Sequence, residues 1–216
     1  MLSTPTDSNL SIAAPEFIWA DSKVPEAHSY LVPPTLKALR ESNARTVLDL
    51  GCGNGACSAR LQSEGFMVTA CDSSTSGIVF ARRTHPTIDF FQHDISQPLP
   101  PRCLGKFDAV VSLEVVEHLL QPRYLIASAR QALLPGGVAI ISTPFHGYWK
   151  NLALAVTDSF DDHWHPLRDF GHVKFFSKKT LFSLLEEMDL SVKDFIRVGR
   201  VPLLARSMLV VALKSQ

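Results

Sequence analysis

Two carboxylates and an imidazole follow a nearly continuous apolar segment in the middle of the chain. The segment 107–113 reads Phe-Asp-Ala-Val-Val-Ser-Leu, and Glu114, Glu117 and His118 come directly after it. Such a segment is typical of a central parallel strand that is covered on both faces. If the chain turns helical at Glu114, positions i, i+3 and i+4 share one face. These side chains could then bind a divalent cation or transfer a proton.

Further imidazoles come from the segment 144–177, which is predicted to be irregular and holds half of the eight histidines of the chain. We consider His118, His146 and His172 as candidate general bases for a hydroxyl substrate. A phenol has a pKa of about 10, so at neutral pH it needs a base or a metal that favours the phenolate. Two carboxylates and two imidazoles suit Mg²⁺ or Zn²⁺. The metal hypothesis therefore takes as ligands Glu114, Glu117, His118 and His172.

A glycine-rich turn is the second informative feature. Residues 47–55 read Val-Leu-Asp-Leu-Gly-Cys-Gly-Asn-Gly, a short apolar strand that runs into a turn and a helix start. Gly51 and Gly53 let the backbone approach a ligand closely, and the N–H groups of the helix near Asn54 face that ligand. Asp49 lies two residues before the first glycine. The pattern predicts a site for a nucleotide-type cofactor.

Acidic residues end the next two predicted strands. Asp72 follows the apolar segment 66–71, and its carboxylate could accept hydrogen bonds from both hydroxyls of a ribose. Asp94 and Ile95 follow the short strand 88–91. The turn and Asp72 alone fit a nicotinamide dinucleotide as well as an adenosyl cofactor, because the looser dinucleotide motif allows alanine in place of its third glycine.

Together these motifs resemble the class I S-adenosylmethionine-dependent methyltransferases, and most closely their ubiquinone-biosynthesis O-methyltransferase branch. The resemblance rests on the glycine-rich turn, Asp72, the Glu-x-x-Glu-His segment, Pro-Gly-Gly at 135–137 and a Gly-His segment at 171–176, and it covers roughly residues 28–214. That branch usually has an Arg in the N-terminal helix that meets the cofactor carboxylate. The matching region here has no Arg, and His28 or Tyr30 are the candidate substitutes.

The resemblance implies S-adenosylmethionine as the cofactor and assigns roles to residues around it. Asp72 would bind the ribose, Asp94 the adenine amino group, and Ile95 would pack on the ring, while Leu113 and Glu114 would flank the methionine portion. It also implies metal use, although Glu-His after the fourth strand occurs in metal-free members, where it positions the substrate loop. The predicted cofactor-binding residues are Asp49, Gly51, Gly53, Asn54, Asp72, Ser73, Asp94, Ile95, Leu113 and Glu114.

The order of the predicted elements indicates the fold class. Strands are predicted near 46–50, 67–72, 88–91, 107–113 and 138–143, with helices near 54–64, 74–84 and 122–134 between them. This alternation predicts an α/β fold, a Rossmann-like doubly wound sheet that is mostly parallel. A helix at 28–41, with Pro33 and Pro34 in its first turn, precedes it. A helix at 178–188 and strands at about 190–198 and 206–214 follow it, and the resemblance makes these strands an antiparallel C-terminal edge hairpin.

The domain organisation is simple. Residues 1–24 are expected to be a flexible N-terminal segment or lid, and residues 25–216 a single methyltransferase domain with the insertion 144–177 as a substrate cap. Twenty-one basic residues balance twenty-one acidic ones, so nucleic acid is not an expected partner. Neither a signal peptide nor a transmembrane segment is predicted, and the four cysteines lack metal-type spacing. We therefore expect a cytoplasmic protein with free thiols.

Function is predicted at the level of reaction type. The favoured reading is methyl transfer from S-adenosylmethionine to a hydroxyl oxygen of a small aromatic acceptor, with a divalent metal as a hypothesis. The alternative is a nicotinamide-dependent oxidoreductase on a Rossmann fold, against which stand the glycine spacing and the absence of a Tyr-x-x-x-Lys pair. A third reading is a cofactor-binding module without catalysis. The identity of the acceptor and the oligomeric state are not predicted.

Overall fold

The computed structural model describes residues 18–19, 24–164, 167, 169 and 171–215. Most of the predicted N-terminal lid, 1–24, lies outside these residues. The strands of the described part are β1 (Thr46–Leu50), β2 (Met67–Asp72), β3 (Asp89–Gln92), β4 (Phe107–Leu113), β5 (Leu133–Pro144), β6 (Leu190–Val198) and β7 (Ser207–Lys214). Its α-helices are α1 (His28–Glu41), α2 (Ala56–Ser63), α3 (Thr75–Thr84), α4 (Arg123–Ala132), α5 (Tyr148–Val156), α6 (Phe160–Trp164) and α7 (Lys178–Glu186).

Within these residues, the strands form one seven-stranded sheet in the order β3-β2-β1-β4-β5-β7-β6. The neighbours among β1 to β5 pair in parallel. Strand β7 pairs antiparallel with both β5 and β6. The predicted fold class is therefore confirmed. Strand order reverses between β1 and β4, and open α/β sheets bind ligands outside the carboxyl ends of the strands at such a point.

The central strands are apolar because both of their faces are covered. In β1, Val47 packs into one hydrophobic cluster, while Leu48 and Leu50 pack into the other, as the alternation of side chains across a strand requires. Helix α1 covers the first cluster with Leu31 and Leu39, which are fully buried. Each buried leucine contributes about 1.5–3 kcal/mol relative to an exposed one. Packing on both faces of the sheet thus fixes the positions of the carboxyl ends of the strands.

In the segments 28–41 and 144–177, two sequence predictions about local structure are wrong. Pro33 and Pro34 lie inside α1 and not in its first turn. The N–H groups that proline lacks would have donated to the carbonyls one turn earlier, and the buried residues Leu31, Leu36 and Leu39 around them offset that loss by packing. The insertion 144–177 is also not irregular, because it contains the helices α5 and α6.

Two further observations concern the whole described part of the chain. Its four cysteines are all buried and free, as predicted. No helix in the described ranges combines the length and the apolar character that a membrane span needs.

Candidate active site

The glycine-rich turn between β1 and α2 leaves its backbone open to close approach. Gly51 and Gly53 have φ angles of +84° and +54°, a region that side chains with a Cβ rarely adopt. The N–H groups of Gly51 and Cys52 both donate to the carbonyl of Cys71, at 2.8 and 3.0 Å, which fixes the turn to β2. A Cβ on Gly53 would collide with the indole of Trp19. The turn therefore requires glycine at both positions.

Asp72, at the end of β2, organises the surroundings of this turn. Its Oδ2 accepts a hydrogen bond from the N–H of Gly53 at 2.8 Å, and its Oδ1 accepts one from the N–H of Ser74 at 2.8 Å. Ser74 in turn caps α3 by accepting from the N–H of Gly77 at 3.1 Å. The intervening Ser73 accepts from the side chain of Gln92 at 3.0 Å through its carbonyl. One carboxylate thus holds the glycine turn and the start of α3 together, and its role toward a ribose stays a prediction.

Asp49, in β1, and Asn54, within the turn, are both buried polar residues. The Asp49 carboxylate is 2% exposed and accepts a hydrogen bond from the hydroxyl of Ser58 at 2.6 Å. Burial raises the pKa of Asp49 to about 7. Asn54 is also buried, and its Oδ1 accepts from the N–H of Ala56 at 3.3 Å. Both residues therefore stabilise the conformation of the turn and the start of α2.

Asp94 and Ile95 follow β3, which pairs with β2 through Asp72 and Gln92. Ile95 is buried in the hydrophobic core, and the exposed Asp94 accepts a hydrogen bond from the N–H of Ser96 at 2.8 Å through Oδ1. Both residues thus follow the strand that pairs with the end of β2 at Asp72. Their contacts with an adenine ring stay a prediction.

The predicted helix at Glu114 is wrong. Glu114 has a positive φ of 56°, and only a single 3-10 turn, Val116–His118, follows it. A left-handed residue ends the strand and starts no helix, so Glu114 and Glu117 do not share a helical face. The N–H of Glu114 still donates to the carbonyl of Ser142 on β5, at 3.3 Å, which prolongs the sheet by one residue.

The Glu114 side chain is held between β5 and β7. Its Oε1 accepts from the hydroxyl of Ser142 at 2.8 Å, and its Oε2 accepts from the hydroxyl of Ser207 at 3.1 Å. Burial raises the pKa of Glu114 to about 7. Neither serine was recognised in the sequence, because only the pairing of β4, β5 and β7 brings them here. Leu113, beside Glu114 at the end of β4, is buried in the core.

Three of the four predicted metal ligands converge. Donor atoms of Glu117, His118 and His172 all lie within 4.8 Å of one another, and Glu114 is not part of this group. The Nε2 of His172 is 4.0 Å from Oε1 of Glu117. The N–H groups of Val173 and Lys174 both donate to the carbonyl of Glu117 at 2.9 Å, which fixes the His172 segment beside the 3-10 turn. We call Glu117, His118 and His172 the acid–imidazole group.

The acid–imidazole group fits a divalent cation. The Glu117 side chain is fully buried, and neither of its carboxylate oxygens has a hydrogen-bond partner among the described residues. Burial, together with the nearby Glu114 carboxylate, holds the pKa of Glu117 well above its usual range. His118 contacts the carbonyl of Gly171 through Nδ1 at 3.2 Å, and the tautomer that donates this bond carries its lone pair on Nε2. A buried carboxylate beside two imidazoles is a donor set that Zn²⁺ and Mg²⁺ accept.

His146 lies in a different environment. It is 8% exposed and stacks on Trp164 with ring centroids 4.7 Å apart, with edge contacts to Phe175 at 5.5 Å and His163 at 6.0 Å. Burial lowers the pKa of His146 to about 4, so the ring is neutral at pH 7. A group with this pKa is a weak base, so its environment does not favour His146 as the general base, and that role stays a prediction.

A cavity of about 490 Å³ adjoins these residues, with Glu114 and His172 on its wall. The wall also carries Lys150, Arg200 and Arg206. Lys150 was missed in the sequence, although it is the only charged residue of α5 and therefore stands out in that helix.

Sequence similarity over most of the chain decides the family. A model of the methyltransferase domain matches residues 21–194. The chain belongs to this family. This match confirms the predicted resemblance to the methyltransferases.

One curated relative of this methyltransferase is the ubiquinone biosynthesis O-methyltransferase of Rickettsia typhi. It is 29% identical over 152 residues, which cover 68% of this chain and 61% of the relative. The chain thus spans less than two thirds of the length of that relative.

Solved structures share the fold of this methyltransferase. The S-adenosylmethionine-dependent methyltransferase of Mesorhizobium loti superposes with a TM-score of 0.64 at 20% identity, over 82% of this chain and 96% of that one. The 1,6-didemethyltoxoflavin-N1-methyltransferase of Burkholderia thailandensis, solved with S-adenosylhomocysteine, gives 0.64 at 18% identity, over 86% and 78% of the two chains. At these identities the likeness shows the fold.

Proposed function

We propose that this protein transfers a methyl group from S-adenosylmethionine to a phenolic oxygen of a small aromatic acceptor, assisted by a divalent cation at the acid–imidazole group. The observation that carries the proposal is the buried Glu117, whose oxygens have no hydrogen-bond partner among the described residues, beside His118 and His172. His172 lines the cavity of about 490 Å³, which is large enough for one substituted aromatic ring. The similarity to an O-methyltransferase supports the choice of oxygen as acceptor atom.

The chain contributes alignment, exclusion of water and removal of one proton. In the reaction the sulfonium–methyl bond breaks as the oxygen–carbon bond forms, and an in-line displacement needs chiefly correct placement of the two reactants. The glycine-rich turn and Asp72 would hold the nucleoside at the ends of β1 and β2. Without a bound cation, the imidazole of His118 or His172 is the group that would accept the phenolic proton; with their lone pairs on a cation, the more acidic phenol would release its proton to solvent. A bound Mg²⁺ or Zn²⁺ would supply Lewis acidity that lowers the pKa of the phenol.

The first test concerns the cofactor. S-adenosylhomocysteine at about 100 times its Kd should raise the free energy of unfolding by about 2.7 kcal/mol, and NADH should leave it unchanged. Differential scanning fluorimetry measures both. The Asp72→Ala variant serves as control, because it removes the acceptor of the Gly53 N–H and should lose the response to S-adenosylhomocysteine. Stabilisation by NADH alone would favour the oxidoreductase alternative and contradict the proposal.

The second test concerns the metal. With catechol as acceptor, exhaustive treatment with EDTA is expected to lower the initial rate about tenfold or more, and Mg²⁺ or Zn²⁺ should restore it, because the neutral phenol is a poor nucleophile. The rate is followed as formation of S-adenosylhomocysteine. A full rate after chelation would remove the cation from the proposal and leave His118 and His172 as the bases.

A further inference from the structure

The cavity beside the candidate active site carries more positive than negative charge. Its wall includes three basic side chains, Lys150, Arg200 and Arg206, and two carboxylates, Glu26 and Glu114. Arg206 forms an ion pair with Glu26, which neutralises both. Glu114 is the remaining carboxyl on the wall; the hydroxyls of Ser142 and Ser207 hold it, and it attracts Lys150. Lys150 and Arg200 therefore leave an excess of positive charge in the cavity.

Lys150 places an ammonium group in a nearly closed part of the protein. Its side chain is 8% exposed, and its Nζ donates to the carbonyls of Phe145 at 2.9 Å and Arg206 at 3.4 Å. An ammonium has three donors, so one proton remains for another acceptor. Among the described residues, no carboxylate oxygen lies within 4.0 Å of a side-chain nitrogen of Lys150 or Arg200. Burial, and then repulsion by Arg200, lower the pKa of Lys150 to about 8.

The two basic residues lie on the side of the sheet away from the glycine-rich turn. Lys150 is in the first turn of α5, just after β5, and Arg200 is in the connection between β6 and β7. The N–H of Phe145 donates to the carbonyl of Arg206 at 3.0 Å, which holds the end of β5 against this connection. Three strand spacings separate β1 from β7, which is roughly 14 Å. Along the sheet, the basic pair thus lies farther than Glu114 from the proposed nucleoside site.

We propose that Lys150 and Arg200 form a subsite that binds a carboxylate on the aromatic acceptor, with the acceptor hydroxyl directed toward His172. This inference rests on the proposed function and specifies its substrate class as an acidic phenol. His172 and the basic pair line one cavity of about 490 Å³, a volume that suits one substituted aromatic ring. A guanidinium can bind a carboxylate through two parallel hydrogen bonds, and the ammonium adds a point charge. An uncharged phenol would leave Lys150 with an unused donor in a buried position.

The test uses two ligands that differ only in charge, 3-hydroxybenzoate and 3-hydroxybenzamide. Isothermal titration calorimetry measures their Kd values with the chelator-treated protein in the presence of S-adenosylhomocysteine. The natural sequence should bind the carboxylate about tenfold more tightly than the amide, which corresponds to about 1.4 kcal/mol. Lys150→Met and Arg200→Met should each abolish most of this preference and leave the Kd of the amide unchanged.

Arg197→Met is the matched control, because Arg197 lies in the same hairpin and is exposed, with its guanidinium 5.9 Å from the ring centre of Phe145. It should keep the full preference for the carboxylate. Arg200 is exposed and makes no hydrogen bond that the described fold requires, so Arg200→Met tests the subsite even if Lys150→Met does not fold.

Three results would overturn the inference. The first is equal affinity for the two ligands, and the second is no measurable binding of the carboxylate up to about 10 mM. The third is a weaker Kd for S-adenosylhomocysteine in Arg200→Met with an unchanged ligand preference, which would assign the basic pair to the carboxylate of the cofactor. Because binding does not need turnover, an intact preference without methyl transfer to any phenol would count against the proposed function alone.

Discussion

Replacement of Glu117 by Gln is expected to lower kcat about a hundredfold or more while the protein stays folded. The substitution conserves volume and removes the one carboxylate of the acid–imidazole group, so a cation would lose its only anionic ligand there. In the presence of EDTA we expect Glu117→Gln to be at least as stable as the natural sequence. Burial and the nearby Glu114 hold the pKa of Glu117 well above its usual range, so ionising this carboxyl is costly in the fold, and the amide avoids that cost because it carries no charge.

Turnover at saturating S-adenosylmethionine and urea unfolding with and without Zn²⁺ measure both effects. Zn²⁺ should stabilise the natural sequence and should have little effect on the variant. Glu187→Gln is the matched control, because Glu187 is half-exposed and pairs with Arg123 at the surface. A Glu117→Gln enzyme with unchanged kcat would show that the group takes no part in the reaction.

Replacement of Gly53 by Val is expected to raise the Kd of S-adenosylhomocysteine about a hundredfold, which corresponds to about 2.7 kcal/mol. Gly53 has a φ of +54°, and a Cβ there would collide with Trp19. The side chain would also occupy the space in which the turn can approach a ligand. The N–H of Gly53 would lose its alignment with Asp72, which now accepts it at 2.8 Å. Isothermal titration calorimetry gives the Kd.

Gly65→Val separates backbone strain from the loss of the site. Gly65 has a φ of +93°, and a Cβ there would meet no atom within 4 Å. This variant should therefore lose about 1–2 kcal/mol of stability through strain and bind the ligand normally. A folded Gly53→Val protein with an unchanged Kd would mean that the cofactor does not contact this turn.

Local patterns were sufficient to predict most of the sheet. Strands β1, β2, β4 and β6 begin and end where the sequence predicted them, because each is a short apolar or alternating segment between clear turns. The position of the glycine turn next to Asp72 also follows from sequence, since the ends of neighbouring parallel strands must meet at one edge. Three residues of the metal hypothesis, Glu117, His118 and His172, do converge in the structure, whereas its fourth ligand, Glu114, lies outside the group.

The environment of Glu114 could not be predicted, because it depends on contacts between distant parts of the chain. Ser142 and Ser207 lie 28 and 93 residues further along, and they reach Glu114 only when β4, β5 and β7 are paired. The left-handed backbone of Glu114 then follows from strand pairing and not from its own preference. Lys150 is a similar case, since its carbonyl partners come from the ends of β5 and the β6–β7 connection.

The position of β7 between β5 and β6 has a consequence for synthesis on the ribosome. Strand β6 leaves the ribosome before β7, yet β7 is its partner in the sheet. In a nascent chain that ends within β6, strands β1 to β5 can already be paired. The backbone N–H and C=O groups of β6 still lack their hydrogen-bond partners on β7. The wall that holds Ser207 and Arg206 is therefore assembled last, and translation products interrupted before β7 would carry the glycine-rich turn without this wall.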